Sequence, residues 1–381
     1  MIYFDNAATT FPKPKVVTDK LHEVYTEYAA NPGRSGHKFA LRMDREIYGV
    51  RDALTHFVGG SNPMNTVFTA NCTESLNIAI KGVVTKKMHV ISDSMQHNSV
   101  LRPLYALEAA GQIELTIVRA NDQGILHAQD ILSQIRPNTG LVVSSHMSNL
   151  TGAIYEIKAI GEQLEKEDIL FIVDAAQSIG VLDIDVKEMH IDVLCYPGHK
   201  GLYGPMGTGG LYIRDGLVLE PMKQGGTGSF SSSPLQPTVM PDRLESGTPN
   251  GPGIIALGVG LEFIEQTKMK RIRDWEDALA GRFREGLDNI PQITTYGDWD
   301  HPHGAVVALN MKEMDSAQLG YILSEDYDIY IRPGLHCAPL AHESLGTSDY
   351  GACRFSFGFF NTEGEVDYAL EVLEKIAKEN M

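Results

Sequence analysis

One lysine stands in an unusually glycine-rich stretch of this 381-residue chain. Lys200 follows the apolar run 191–195, and glycines recur around it at positions 198, 201, 204, 207, 209 and 210. Glycine lets the main chain approach a ligand closely, and burial lowers the pKa of a lysine, so that its amine can attack a carbonyl carbon. The stretch indicates a Schiff-base lysine. Taken alone, it is also compatible with an exposed lysine in a surface turn.

Other predicted strands also end in polar residues that could hold a cofactor. Because ligands bind at the carboxyl ends of strands in open parallel sheets, these residues are expected to meet at one edge. Each has an ordinary alternative, such as a surface histidine, a helix-capping threonine or a turn aspartate. The strand ends carry Cys72 with Thr73 at a helix start, His97, His146 with Asn149, Asp174 with Gln177, and His199 with Lys200.

Together these side chains meet the needs of pyridoxal 5′-phosphate (PLP). Its aldehyde needs an amine, its ring nitrogen a carboxylate, its ring a flat side chain, and its phosphate the N–H groups and hydroxyl of a helix start. No dinucleotide-binding glycine motif follows the first strand, and no P-loop motif is present. His301 and His303 form the only close histidine pair, in a predicted loop, and we expect no metal site.

An alternation of strands and helices predicts an α/β fold with a mostly parallel central sheet. Residues 223–251, rich in Gly, Ser and Pro, predict a long loop, and a helical region over 252–290 is expected to bend or split near 269. Predicted strands lie near 66–69, 88–92, 113–119, 140–145, 169–174, 191–195 and 209–214, and helices near 15–29, 38–58, 73–82, 98–111, 127–135 and 156–167.

A smaller α+β unit is predicted to follow. Its strands are expected near 304–310, 328–332 and 352–357, and its last helix begins with the capping box Thr362 and Glu365. We therefore predict a large domain over 15–265, and a small domain made of 1–14 and 266–381.

The composition and sequence pattern limit the binding partners and the cellular compartment that we expect. A formal charge of −17 disfavours nucleic acid and anionic membranes as partners. The four cysteines are isolated, the N-terminus lacks a basic-then-apolar signal, and no apolar run is long enough to span a bilayer. We expect a cytoplasmic protein.

The chain resembles the class V aminotransferase family, in particular cysteine desulfurases of the SUF type, which are also called selenocysteine lyase-like. The resemblance implies a PLP-dependent transferase of fold type I, and it covers nearly the whole chain. It rests on Tyr3-Phe-Asp-Asn-Ala-Ala-Thr9, Thr73-Glu-Ser-Leu-Asn77, Val173-Asp-Ala-Ala-Gln177, Gly198-His-Lys-Gly-Leu-Tyr-Gly-Pro205, Glu245-Ser-Gly-Thr-Pro-Asn250, Arg332-Pro-Gly-Leu-His-Cys337 and Cys353-Arg-Phe-Ser-Phe357.

The resemblance implies a role for each motif residue. The Schiff base would form on Lys200, and His97 would stack on the ring and help proton transfers. The ring nitrogen would pair with Asp174, the ring hydroxyl with Gln177, and the phosphate with Cys72 through its main chain, Thr73 and His199. The remaining implied roles are cofactor and substrate contacts for Asn149, substrate binding for Arg332, the main carboxylate clamp for Arg354, and contact with a partner subunit's phosphate for Thr248 in a homodimer.

The resemblance also implies the reaction: Cys337 would take a sulfur atom from L-cysteine as a persulfide and leave L-alanine. A reactive thiol should be accessible and near a cation, for which Arg332 and His336 are candidates. The simpler interpretation, a small buried side chain, is kept for Cys72, Cys195 and Cys353. The sulfur would go to an acceptor protein for iron–sulfur or other thio-cofactor assembly. The alternatives are a selenocysteine lyase, an aminotransferase, a β-lyase, or a scaffold without activity.

Three segments depart from the SUF-type pattern. They are Met95-Gln-His-Asn-Ser99 around the predicted ring-stacking histidine, Pro333-Gly-Leu335 before the cysteine, and the serine-rich run 225–233.

Overall fold

The computed structural model describes residues 1–33 and 35–379. Within them the helices are α1 Lys15–Glu27, α2 Lys38–Phe57, α3 Cys72–Val83, α4 Asn98–Ala109, α5 Ala128–Leu132, α6 Ile157–Lys166, α7 Gly251–Thr267, α8 Met269–Leu287, α9 Ser316–Tyr327, α10 Pro339–Ser344 and α11 Glu363–Glu379. The strands are β1 Ile2–Tyr3, β2 Thr66–Thr69, β3 Met88–Asp93, β4 Ile113–Val118, β5 Thr139–Ser145, β6 Leu170–Asp174, β7 Val193–Pro197, β8 Gly209–Ile213, β9 Ile293–Tyr296, β10 Val306–Met311, β11 Ile329–Tyr330, β12 Arg332–Gly334 and β13 Ala352–Ser356.

A seven-stranded mixed sheet in the order β2-β8-β7-β6-β5-β3-β4 forms the centre of the large unit. Strands β3 to β7 pair in parallel, and β8 runs antiparallel to both β7 and β2. Side chains of β6 alternate between two apolar clusters, with Phe171 and Val173 in one and Ile172 in the other. Apolar side chains therefore cover both faces of the strand, as its uninterrupted apolar sequence predicts.

The smaller sheet has the order β12-β13-β10-β9, and its neighbouring strands are antiparallel. Its apolar cluster joins Phe283 of α8, Phe355 of β13 and Leu373 of α11. The predicted capping box is confirmed, because Thr362 N–H donates to Glu365 Oε2 at 2.9 Å and Glu365 N–H donates to Thr362 Oγ1 at 3.3 Å.

The fold class is confirmed, and the main differences from the sequence prediction lie in short elements. β1, placed in a predicted irregular arm, pairs in parallel with β11. β9, α9 and α10 were not predicted either. The helical pattern of α9 is weak because Tyr321 is 69 % exposed beside Leu319 and Leu323 in the core. The predicted break near 269 is confirmed at Lys268, whose φ of 74° ends α7.

The predicted domain boundary remains a prediction. The apolar cluster under the large sheet also includes Ala308, Ala338 and Leu345 from the C-terminal part of the chain. The core is therefore continuous across residue 265, and it places the segment after β12 beside the large sheet.

Candidate active site

A cavity of about 260 Å³ lies at the carboxyl edge of the large sheet. Most site residues predicted from the sequence line it, and Thr248, His146 and His336 do not. The lining is Ala7, Ala8, Asn71, Cys72, Thr73, Leu76, His97, Ser99, Ser145, Met147, Asn149, Asp174, Ala176, Gln177, Pro197, His199, Lys200, Arg332, Cys337 and Arg354. The tertiary structure thus brings together residues from both ends of the chain, from Ala7 to Arg354.

Lys200 reaches the cavity from a tight turn after β7. A Cβ atom on Gly198 would stand 2.2 Å from Thr208 Oγ1, so only glycine fits this approach. Tyr203 closes the turn in a left-handed conformation, φ 58°, and its N–H donates to Lys200 O at 2.8 Å. Among residues 1–33 and 35–379, the Lys200 amine has no hydrogen-bond or salt-bridge partner. Burial and the nearby Arg354 charge lower the pKa of Lys200 to about 8, which leaves an appreciable neutral fraction at neutral pH.

Asp174 ends β6 with a carboxylate that is 4 % exposed. Burial raises its pKa, and the Ala176 N–H, which donates to Oδ1 at 2.8 Å, acts in the opposite direction, as does the Lys200 charge. A partly desolvated carboxylate of this kind attracts a cationic or N–H partner from a ligand. Gln177 follows in the same wall, with its Nε2 bound to Ala7 O at 3.1 Å.

His97 caps α4 and presents a neutral ring. Its Nδ1 accepts the Ser99 N–H at 3.0 Å, which leaves the proton of the neutral tautomer on Nε2. Burial and the charges of Lys200 and Arg332 lower the His97 pKa to about 4. The Ser99 hydroxyl also bonds to Thr73 Oγ1 at 2.7 Å, so that the starts of α3 and α4 are tied together.

A buried network holds the main chain that precedes His97. Gln96 Nε2 donates to Asp93 Oδ2 at 2.5 Å, and Gln96 Oε1 accepts from Ser145 Oγ at 2.8 Å. Gln96 and Asp93 are 0 % and 1 % exposed. Sequence analysis missed this pair, although Gln96 belongs to one of the segments that depart from the SUF-type pattern.

Two donor groups at one end of the cavity are free to bind an anion. The first is the start of α3, where Asn71 Oδ1 accepts the Glu74 N–H at 2.9 Å and the amides of Cys72 and Thr73 precede the first full turn. The second is His199, whose buried Nδ1 has no partner among the described residues. Burial and the Lys200 and Lys13 charges lower the His199 pKa to about 4.

Arg354 forms another wall from β13 and is 1 % exposed. Its Nη2 donates to Asp5 Oδ1 at 2.6 Å and its Nη1 to Asn149 O at 2.9 Å. Its buried Nε has no partner in the described part of the chain. Burial lowers the Arg354 pKa, and Asp5 opposes that shift. A guanidinium held on two sides and unsatisfied on the third suits a carboxylate ligand.

Cys337 lies on the loop between β12 and α10, and it is the one exposed thiol among the four cysteines. Arg332 Nη2 lies 3.6 Å from Cys337 Sγ, as expected for a cation near the thiol. The loop main chain is fixed from two sides, because Asn98 N–H donates to Cys337 O at 2.7 Å and Asn149 Nδ2 donates to His336 O at 2.8 Å.

Two expectations about nearby side chains have different outcomes. His336 is not the expected cation for Cys337, because its ring is 2 % exposed and burial lowers its pKa to about 3. By contrast, the interpretation of Cys72, Cys195 and Cys353 as buried structural side chains is confirmed.

Two other predicted positions lie outside the cavity lining. Thr248 is exposed on the long loop before α7, and its hydroxyl accepts from Asn31 Nδ2 at 3.4 Å. His146 follows β5 but is buried, with an Nδ1 that has no partner in residues 1–33 and 35–379.

A second cavity, of about 330 Å³, lies at the opposite, amino edge of β6 and β7. Its walls include Asp192 and Arg214, which form a salt bridge with each other, and His190, which lies 2.9 Å from Glu165. These side chains pair with one another, and none of the predicted site residues lines this cavity. No helix in residues 1–33 and 35–379 is both long and apolar enough to cross a membrane.

Comparison with known proteins agrees with the resemblance seen in the sequence. The family model described as Aminotransferase class-V matches residues 2–369. A probable cysteine desulfurase of Pyrococcus abyssi is 34% identical over 387 residues, which cover 99% of this chain and 94% of that protein. The cysteine desulfurase IscS of Photorhabdus laumondii is 30% identical over 395 residues, which cover 98% and 92%.

A solved structure of a cysteine desulfurase is also similar to this chain. The apo structure of the cysteine desulfurase from Thermococcus onnurineus superposes with a TM-score of 0.93 at 34% identity, covering 99% of this chain and 95% of that one.

Proposed function

The chain belongs to the aminotransferase class-V family, and from this we propose that it is a PLP-dependent cysteine desulfurase. It converts L-cysteine to L-alanine and keeps the removed sulfur as a persulfide on Cys337. The observation that carries the proposal is the position of Cys337. An exposed thiol next to a guanidinium lines the same cavity as an unpartnered, partly neutral lysine amine.

The residues of the cavity fit PLP, the cofactor of this family. Lys200 offers the amine and Asp174 a buried carboxylate for the pyridinium N–H, while the orphaned His199 Nδ1 and the amides at the start of α3 suit the phosphate. When bound, PLP supplies an electron sink for the bonds around the substrate's α-carbon. Gln177 and Asn149 would contact the ring substituents from the walls.

The other side chains of the cavity would have separate tasks. His97 would present its flat, uncharged ring to the cofactor face, and its Nε2 carries the proton that it would exchange with the substrate. The Arg354 guanidinium would bind the substrate carboxylate with its free Nε. Arg332, which lies beside the Cys337 thiol, would also bind the substrate. Because Asp5 and Asn149 already hold Arg354 in place, little side-chain entropy is lost on binding.

The sulfur step is a transfer between two thiols. The Cys337 thiolate attacks the substrate sulfur, an S–S bond forms, and the bond between that sulfur and the substrate Cβ breaks. The electron pair of the broken bond stays with the substrate carbon, which takes up a proton and leaves as L-alanine. The Arg332 guanidinium lies 3.6 Å from Sγ, beside the attacking sulfur.

Mass spectrometry of the PLP-loaded protein after treatment with L-cysteine tests the proposal. We expect one added sulfur on the peptide that contains Cys337, together with release of L-alanine. Cys337→Ser should lose both, while Cys353→Ser, which changes a buried thiol, should keep both. Undiminished alanine and sulfide release by Cys337→Ser would show that the persulfide mechanism is wrong and would favour a β-lyase.

An aminotransferase and a scaffold without activity make different predictions in the same experiment. An aminotransferase would release the 2-oxo acid of its amino donor and add no sulfur. A scaffold would show no visible absorbance of protein-bound PLP. The unpartnered Lys200 amine argues against a scaffold, and the exposed Cys337 argues against a simple aminotransferase.

We also propose that the active unit is a homodimer. Large apolar side chains are exposed on α1, on α2 and on the long loop, namely Tyr25, Phe39, Leu41, Tyr48 and Leu235. Thr248 lies outside its own cavity and precedes α7, which packs against α1 and α2. A second copy that covers this surface would bring Thr248 to the partner's phosphate site. Sedimentation of the wild type and of Leu235→Asp would test this, with a monomeric variant expected.

The remaining parts of the proposal concern sulfur delivery. An exposed persulfide on Cys337 would be passed to an acceptor protein for iron–sulfur or other thio-cofactor assembly in the cytoplasm. L-selenocysteine would fit the same site, because the attacked atom differs only in being selenium. Parallel assays with both amino acids would show which one the enzyme prefers.

A further inference from the structure

The Cys337 loop contains one buried histidine, which stacks against a second buried histidine on α10. His336 is 2 % exposed, His342 of α10 is 0 % exposed, and their rings are nearly parallel with centroids 5.4 Å apart. His336 Nδ1 lies 3.2 Å from His342 Nε2, and His342 Nδ1 lies 2.7 Å from Thr347 Oγ1. The other nitrogen of His336, Nε2, lies 2.9 Å from Arg332 O.

The direction of these hydrogen bonds follows from their last acceptor. The Arg332 carbonyl can only accept, so His336 Nε2 carries a proton. Burial and the Arg354, His342 and Arg332 side chains that face His336 disfavour a second proton on it, and they outweigh the opposing effect of its hydrogen bond to Arg332 O, so its Nδ1 is left as an acceptor. His342 Nε2 must then donate to His336, and the Thr347 hydroxyl must donate to His342 Nδ1. The chain therefore runs one way, from Thr347 through both rings to the main chain of β12.

The loop above this chain has a conformation that needs support. Gly334, His336 and Cys337 all have positive φ angles, of 102°, 51° and 56°. Non-glycine residues in the left-handed region are strained and persist there only where their surroundings hold them. The hydrogen-bonded chain of side chains fixes the ring of His336. The hydrogen bonds from Asn149 and Asn98 fix the carbonyl groups of His336 and Cys337.

We propose that His342 and Thr347 are positioning residues for sulfur transfer: with His336 they form a one-way hydrogen-bond relay that holds the Cys337 loop in its left-handed conformation. This inference rests on the proposed role of Cys337. Neither His342 nor Thr347 lines the cavity. Their effect therefore acts on where the thiol lies and leaves cofactor and substrate binding intact.

Matched variants of the full-length, PLP-loaded protein test the relay. Thr347→Val and His342→Leu remove a donor, whereas Thr347→Ser keeps the hydroxyl and His342→Gln keeps an N–H near the position of Nε2. We expect the first pair to lower kcat for alanine release by about tenfold or more, because small displacements of reacting atoms are costly. KM for L-cysteine and the visible absorbance of bound PLP should stay within about twofold of the wild type, and the second pair should recover most of kcat.

A second readout does not depend on catalysis. Amide hydrogen exchange of the peptide 334–338 should be faster in Thr347→Val and His342→Leu than in the wild type. The control is His89→Leu, because His89 is also fully buried and bonds two threonine hydroxyls, but at the amino end of β3. His89→Leu should change neither kcat nor exchange in the loop.

The outcomes separate the relay from the proposed function. If Thr347→Val and His342→Leu match the wild type in both kcat and loop exchange, the relay is wrong. If His342→Leu fails to fold and bind PLP, Thr347→Val decides alone, since it preserves shape and volume. If Cys337→Ser remains active, the proposed function is wrong, and loop exchange still reports on the relay.

Discussion

The cavity is built from two regions that are held in different ways. At the carboxyl edge of the large sheet, Lys200 and Asp174 follow buried parallel strands, and the main chain around them is fixed by neighbouring strands and tight glycine contacts. The Cys337 loop leaves a three-residue edge strand of the smaller sheet, and its thiol is exposed. A few hydrogen bonds, from the Asn149 side chain and the Asn98 main chain, hold the loop in place of strand pairing.

This difference corresponds to the two chemical tasks. A cofactor has to be desolvated and kept still, which strand ends under a large apolar core do well. A thiol that receives sulfur and passes it on has to be reachable from outside. The loop therefore combines exposure of the side chain with a firmly held main chain.

The largest loss of activity is expected for a substitution at the carboxyl edge of the large sheet. Lys200→Ala removes the amine proposed to hold the cofactor, and we expect activity to fall by a factor on the order of 10⁴ or more, as when other covalent nucleophiles are removed. The visible absorbance of protein-bound PLP should disappear as well. Lys81→Ala, on the exposed face of α3, is the matched control and should behave as the wild type. Retention of activity by Lys200→Ala would overturn the assignment of the edge as the cofactor site.

Arg354→Lys tests the wall of the cavity that the smaller sheet contributes. Lysine keeps the charge but lacks the planar guanidinium. In that group Nη1 and Nη2 bond Asn149 and Asp5, and Nε has no partner among the described residues. We expect KM for L-cysteine to rise about 10–100-fold, as for loss of a hydrogen bond to a charged group. PLP absorbance should persist. Steady-state kinetics check this, and an unchanged KM would exclude Arg354 as the carboxylate clamp.

Arg332→Gln tests the loop alone. Without the guanidinium 3.6 Å from Sγ, the Cys337 thiolate loses its nearest positive charge, and alkylation by iodoacetamide should slow severalfold at neutral pH. Mass spectrometry after timed quenching gives the rate. Bound PLP should be spectroscopically unchanged. Equal alkylation rates in variant and wild type would mean that Arg332 does not activate the thiol.

The smallest expected effect is on stability in acid. The pKa values of His336 and His342 in the folded protein are about 3 and about 4, below the ordinary value of 6.5. Between about pH 4 and 6.5 the unfolded chain binds more protons at these sites than the native protein, so their contribution favours unfolding increasingly as pH falls. His342→Gln removes one of them.

Urea unfolding at pH 7 and pH 5 measures this contribution. The loss of stability on acidification should be smaller in His342→Gln than in the wild type. A loss of equal or greater size in the variant would show that His342 is not buried as a neutral ring.

Much of this site was predictable from sequence because residue type and position at a strand end carry the information. Asp174 closes an uninterrupted apolar run, and Lys200 follows another into a run of glycines. The roles of Asp93, Gln96 and Ser99 were missed because their partners come from other strands and helices. His336 is a candidate cation from the sequence because it adjoins Cys337, and that adjacency does not reveal that the His336 side chain is buried.

The sequence by itself determined the alternation of elements, the order of the strand-end residues and the family, since these depend on local pattern and on motifs. Only the tertiary structure decided which groups are desolvated, which donors are left without a partner and how the Cys337 loop is held. The reason is that burial and hydrogen bonding depend on neighbours far away in the chain. His336, His342 and Thr347 are close in sequence, but their burial and the hydrogen bonds from Asn98 and Asn149 that hold the Cys337 loop depend on distant parts of the chain.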